Sequence, residues 1–195
     1  MEVSSDGRLA FVSNYGAQTP GHTLSVIDVR SRKELQRVDL GELRRPHGLS
    51  FTDGYLYLTS EEARRIARFD PHAQRVDWTF ETGQQGTHMV LAGRGSARLF
   101  ASNIGSNSIS IIERGSGAEW AQRLVKVGAG PEGLDLSPDG RHLWVAHSGD
   151  GGISVVDTYV AVSGEQRVAV VNLAKLKVAR TIATGDEPDG MAWVR

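Results

Sequence analysis

The hydrophobic positions of the chain fall in short runs. "RLAFVS", "YLYLTS", "RLFAS" and "HLWVA" each follow a turn-forming step. A polar loop then leads to "TLSVIDV" (23–29), "RIARFD" (65–70), "SISIIE" (108–113) and "ISVVDT" (153–158). A further run closes each group: "ELQRVDL" (34–40), "QRVDWTF" (74–80), "AQRLVKV" (121–127) and "KVARTIATG" (177–185). Helical periodicity is almost absent, and short apolar runs bounded by Gly, Pro, Asp and Ser predict strands joined by tight turns. The inner runs are apolar on both faces, as strands between stacked sheets require.

The groups recur. "EVSSDGRLAFVSN" (2–14), "PHGLSFTDGYLYLTSE" (46–61), "THMVLAGRGSARLFASN" (87–103) and "PEGLDLSPDGRHLWVAH" (131–147) share one internal order, and "PDGMAWVR" (188–195) begins it again. Pro46, Thr87, Pro131 and Pro188 stand at intervals of 41, 44 and 57 residues. Repeats of this period mark a solenoid, a propeller or an array, and four antiparallel strands per repeat describe propeller blades. The expected blades span about residues 1–41, 42–83, 84–128 and 129–185, with an extra inner strand at 186–195. Asp-Gly before the second run predicts a two-residue hairpin, because both central residues of that turn take positive φ. The third repeat replaces it with "AGRGSAR". The fourth carries an insertion near "TYVAVSGEQ" (158–166), after which "RVAVVNL" (167–173) offers a second candidate third strand.

"SPDGRHLWVAHSGDGGISVVD" (137–157) and "SSDGRLAFVSN" followed by "TLSVIDV" resemble the YVTN-type, or YncE-like, β-propeller repeat. The combined Gly-His…Trp-Asp signature of WD repeats is lacking, and kelch-type double glycines are missing from the expected strand ends. The resemblance covers nearly the whole chain. It implies an all-β propeller of four-stranded antiparallel blades, and it implies a binding or scaffold protein that is periplasmic or extracellular. Such relatives resemble seven-bladed rings, so about four blades plus one strand read as a partial ring. An open arc exposes the apolar faces of its end blades, and self-association is the expected consequence.

Composition narrows the partners. The chain has 22 Lys+Arg against 23 Asp+Glu, balanced in each half, which argues against nucleic acid and anionic lipid. It has no cysteine, which excludes disulfides and thiolate chemistry. No apolar run reaches membrane-spanning length, and the first residues lack the pattern of a secretory signal.

In a propeller, the loop leading into the innermost strand and the loop after the second strand lie on one face, at the channel mouth. That register gathers Arg44, Arg45, His47, Gln85, His88, Glu132 and Asp189 from the first set of loops. From the second it gathers Asn14, Tyr15, Glu61, Asn103, His147 and Asp150. Arg45, His47, Glu61, His88, Asn103, Glu132, His147 and Asp189 form the expected ligand-binding set. Each has a plainer role open to it. The histidines suit hydrogen bonds to a neighbouring blade, the carboxylates suit solvated loops, and the asparagines suit turns. Trp78, Trp120, Trp144 and Trp193 read as packing residues.

The preferred function is a non-catalytic binding or scaffold propeller presenting these loops to a small ligand or a protein. No cofactor is required by the sequence. Two alternatives carry chemistry. Glu61 or Glu132, Asn14 or Asn103, and Asp189 are the ligand types of lactonase-like propellers that hold a divalent cation of the Ca²⁺, Mg²⁺ or Mn²⁺ kind, while the rim histidines suit Zn²⁺. His47 or His88 as an axial haem ligand, by resemblance to the cytochrome d1 domain, gives a redox propeller. A nucleophile elbow, a Walker loop and a His-Glu-x-x-His motif are all absent from the sequence.

Overall fold

The structure is a computed structural model. It describes residues 1–115, 119–138, 140 and 142–157 and the backbone of 167–172 and 177–183. The fold is all-β, built from antiparallel sheets, and among the described residues there is no α-helix. Among the described residues no helix is long and apolar enough to cross a membrane.

The first sheet runs β1 (Glu2–Val3), β2 (Leu9–Gly16), β3 (Pro20–Asp28) and β4 (Lys33–Asp39). The second runs β5 (Pro46–Thr52), β6 (Tyr55–Ser60), β7 (Arg65–Asp70) and β8 (Arg75–Glu81). The third holds β9 (Thr87–Ala92), β10 (Arg98–Asn103), β11 (Ser108–Arg114) and β12 (Trp120–Lys126). In each, strands neighbour one another in chain order, as the repeated runs predict. The chain divides into two compact units, Met1–Leu99 and Phe100–Arg195.

The fourth sheet departs from the four-strand plan. It contains β13 (Pro131–Leu136), β14 (His142–His147), β15 (Ile153–Asp157), β16 (Arg167–Asn172) and β17 (Lys177–Ala183). The run at 167–172 does not replace the third strand. It adds to the sheet, pairing parallel with β15, and β17 follows it antiparallel. A two-residue hairpin cannot join a parallel pair, and nine residues, 158–166, separate β15 from β16 in the sequence. The expected strand at 186–195 lies outside the described residues.

The turns correct one expectation. Among the described residues, only Asp53-Gly54 forms the two-residue hairpin, with φ of 49° and 83° and Thr52 paired to Tyr55. In "SSDG" the turn is longer. Ser4 N–H donates to Leu9 O, Gly7 N–H donates to Ser4 O, and Asp6 Oδ1 accepts from Ser4 Oγ and Arg8 N–H. "SPDG" repeats it, with Gly140 N–H to Ser137 O and Ser137 N–H to His142 O. The preceding serine bonds locally and draws the turn into a longer loop that needs positive φ only at glycine.

The first unit's core lies between the first two sheets, with Phe11, Leu24, Leu56, Leu58, Ala67 and Phe69 fully buried. Phe11 stacks on Phe51 at 5.6 Å and meets Phe69 edge-on at 6.4 Å. Each such large side chain contributes about 1.5–3 kcal/mol by leaving water. Trp78 packs beside Tyr57 and Phe80 within its own sheet.

A repeated seam joins successive sheets. Ser13 Oγ donates to His47 O (2.8 Å), Thr59 Oγ1 to His88 O (2.5 Å) and Ser102 Oγ to Glu132 O (2.8 Å). In each case a hydroxyl near the end of the second strand holds the carbonyl at the start of the next sheet. At Gly48 the approach is closest: a Cβ there would stand 2.5 Å from Met89 Cα and 2.7 Å from His88 O. Only glycine lets β5 and β9 pass at this distance.

Candidate functional site

The step Pro46-His47-Gly48 opens β5 with a register shift between Pro46 and Leu49. The corresponding step Pro131-Glu132-Gly133 opens β13 with the same shift. Bulges of this kind re-aim a side chain at a strand end. Ahead of the bulge, Arg45 has φ 49°, in the left-handed region. Its N–H donates to Gly21 O (2.9 Å), and its carbonyl accepts from Glu61 N–H (3.2 Å). Ser60 Oγ holds Arg44 O at 2.5 Å. The loop into β5 and the end of β6 are therefore tied together, with Glu61 next to His47.

Five side chains of the first unit meet there. The His47 and His88 rings stack with centroids 3.9 Å apart and planes at 24°. Glu61 Oε1 lies 2.5 Å from His88 Nδ1, and Tyr15 Oη donates to Glu61 Oε2 at 2.7 Å. Because an ionised carboxylate only accepts, His88 presents Nδ1–H to it. Tyr15 stands edge-on to His47 at 5.3 Å, and the Arg45 guanidinium lies over the Tyr15 ring at 4.9 Å. Arg45 is itself held by Ala17 O (3.2 Å) and Glu62 Oε1 (3.3 Å). The site is recessed but open to solvent: the His88 and Glu61 side chains are 12% and 15% exposed.

Burial, then the neighbouring His88, holds His47 below the usual histidine range, against the pull of Glu61. For Glu61, burial is the largest influence and pushes upward. The hydrogen bonds from His88 and Tyr15 and the histidine charges outweigh it, so the carboxyl titrates below its ordinary value. Tyr15 is pushed up by burial and then by Glu61. His47 Nδ1 is buried with no hydrogen-bond partner within the protein. A buried polar atom in that condition costs about 1–3 kcal/mol and calls for an explanation. One nitrogen of each histidine and one Glu61 oxygen lie within 4.8 Å of one another.

The other expected residues sit elsewhere. Asn14 Nδ2 donates to Thr23 Oγ1 and Ser25 Oγ within the first sheet (2.9 and 3.0 Å). Asn103 is fully buried and donates to Ser108 Oγ and Ser110 Oγ. His147 is fully buried and hydrogen-bonded through Nε2 to Ser154 Oγ at 2.8 Å. Asp150 accepts from Ala129 N–H and Gly152 N–H, with His147 Nδ1 3.2 Å away but outside hydrogen-bonding geometry. Glu132 is half-buried, with its carbonyl in the seam, while Arg44 and Gln85 are exposed. Asp189 lies outside the described residues. Sequence reasoning missed the seam hydroxyls and Gly48. The signal was a Ser or Thr recurring at one place in the second run, in "FVSN", "YLTS" and "FASN".

Ser154, His147 and Asp150 have the order of a catalytic triad, yet the serine and histidine are closed to solvent. The repeat identifies their role. Asn14 with Ser25, Asn103 with Ser110 and His147 with Ser154 join the same two strand positions in three sheets.

No protein-family model matches the chain, and no curated protein matches it. Solved structures do. A protein of Bacteroides fragilis, provisionally assigned as a 6-phosphogluconolactonase, is similar with a TM-score of 0.72 at 16% identity, over 100% of this chain and 56% of its own. Hydrazine synthase of Kuenenia stuttgartiensis is similar with a TM-score of 0.68 at 21% identity, over 92% of this chain and 47% of its own. The β-propeller domain of Myceliophteria thermophila Cps50 (Swd1) has a TM-score of 0.68 at 9% identity, over 95% of this chain and 55% of its own. The chain spans about half the length of these structures. At these identities the likeness shows the fold, a β-propeller of four-stranded antiparallel blades.

Proposed function

We propose that the chain is part of a YVTN-type propeller that binds a ligand without transforming it, through the loops that carry Tyr15, Arg45, His47, Glu61 and His88. One observation carries this reading. The strand-end hydroxyls and amides that repeat between sheets are committed to architecture, while the neighbouring polar side chains Tyr15, His47, Glu61 and His88 converge on one recessed, solvent-open patch.

The YVTN assignment rests on what the motif's last two residues do. In "FVSN" and "FASN" the hydroxyl holds the next sheet's carbonyl and the asparagine pins the serine of "SVID" or "SIIE". The motif is thus a pair of hydrogen-bonding devices, and this chain uses both.

The binding reading is favoured over hydrolysis because both Glu61 oxygens already accept hydrogen bonds, from His88 and Tyr15. In this arrangement Glu61 serves to hold the neighbouring side chains in place. A lactonase reading draws on one observation, the metal-donor character of the His47, Glu61 and His88 group. Lactone hydrolysis followed with and without added divalent cations separates the two. Rates equal to buffer are expected; turnover abolished by Glu61→Gln would establish the enzyme instead. Direct support would come from a small-molecule panel screened by thermal shift, with hits lost in His47→Gln.

A further inference from the structure

We propose that His47, Glu61 and His88 bind one divalent transition-metal ion of the Zn²⁺ class. This deepens the binding reading and rests on it, naming the ligand of the same patch. Two imidazole nitrogens and one carboxylate oxygen are a donor set for borderline first-row cations, whereas Ca²⁺ and Mg²⁺ take oxygen ligands. Of the oxygen donors that would make a hard-cation site, Asn14 and Asn103 are turned into their own sheets.

The geometry is close to what an ion requires. The three donor atoms lie within 4.8 Å of one another, and a tetrahedral ion with bonds of about 2.0–2.1 Å draws its donors to roughly 3.3 Å. The rearrangement is small. The stacked rings pivot so that their lone pairs converge, and Glu61 exchanges its bond with His88 for the ion. Three protein donors leave a fourth position for an outside ligand.

Two further observations point the same way. His47 Nδ1 is a buried nitrogen without a hydrogen-bond partner, and coordination through it satisfies that atom. Tyr15 Oη holds the second oxygen of Glu61, the supporting bond by which metal-ligating carboxylates are oriented. Gly48 sets the spacing, because any side chain there would push apart the backbones that carry the two histidines.

The test is zinc titration of the tag-free, full chain by calorimetry, with metal content measured after dialysis and Co²⁺ spectra as a second readout. One equivalent of Zn²⁺ per chain is expected, undisturbed by excess Ca²⁺ or Mg²⁺. His47→Gln and His88→Gln should each weaken it by about 100-fold or more and remove the Co²⁺ bands, while Tyr15→Phe weakens it by about 10-fold. Zinc-induced shifts of the His47 and His88 ring resonances in the wild-type chain provide a readout that needs no folded variant. A folded chain with no stoichiometric zinc, or zinc binding that leaves those two rings unshifted, would overturn the metal site. Thermal-shift hits that persist in that case keep the binding reading alive. Zinc-dependent lactone turnover would uphold the metal and overturn the non-catalytic reading.

Discussion

Each compact unit holds a histidine close to a carboxylate and a hydroxyl, and the two clusters have opposite meanings. His88 lies between Glu61 and the stacked His47 at a solvent-open recess. His147 lies between Ser154 and Asp150 in a closed interior. Residue type alone would favour the second, which mimics a triad. The repeat reverses the ranking: His147 fills a position that asparagine fills in two other sheets, whereas His47, Glu61 and His88 are brought together only once among the described residues. In a repeat protein, equivalent positions act as internal controls: a bond that every repeat makes is architecture, whatever residue makes it.

The contrast is open to direct attack, and the largest effect is expected at Gly48. Gly48→Ala should cost about 3 kcal/mol, since its methyl group would meet backbone rather than a yielding side chain. Urea denaturation measures this. His147→Ala should cost about 2 kcal/mol by opening space and leaving Ser154 without its bond. His147→Asn should recover most of that loss. If asparagine proves as damaging as alanine, the equivalence fails and the buried cluster must be reconsidered.

Thr59→Val removes a hydroxyl that accepts from Gly48 N–H and donates to His88 O, so about 1–2 kcal/mol is expected in the same assay. Tyr15→Phe removes a single bond to Glu61 from a half-buried site and should cost about 1 kcal/mol or less. The smallest effect is on pH dependence. Burial, opposed by Asp150, holds His147 below the usual histidine range. The unfolded chain therefore takes up this proton more readily, and stability falls as pH drops below about 6.5. His147→Asn should flatten that part of the curve relative to wild type, measured as unfolding free energy against pH.

Strands and their order were legible because alternation and turn residues are local properties. The longer "SSDG" and "SPDG" turns were not, because the deciding bond comes from the serine before the Asp-Gly pair. The rim positions were legible as a class, and Arg45, His47, Glu61 and His88 do meet. Asn103 and His147 could not be separated from Glu61 in advance. Successive residues of a strand point to opposite sides, so one step at a strand end decides between a sheet's interior and its rim. Ser60 and Glu61 show this, the serine buried and tied to Arg44, the carboxylate in the cluster. The run at 167–172 was legible as a strand, but its place beside β15 was not, because a parallel pairing leaves no hairpin signature.

The hydroxyl-to-carbonyl seam has a consequence for how such a molecule is inherited. Ser13, Thr59 and Ser102 make the same joint with three different neighbours, and the joint recognises only a backbone oxygen. A module duplicated, deleted or exchanged by recombination would find a compatible socket wherever it landed, leaving the rim chemistry free to diverge.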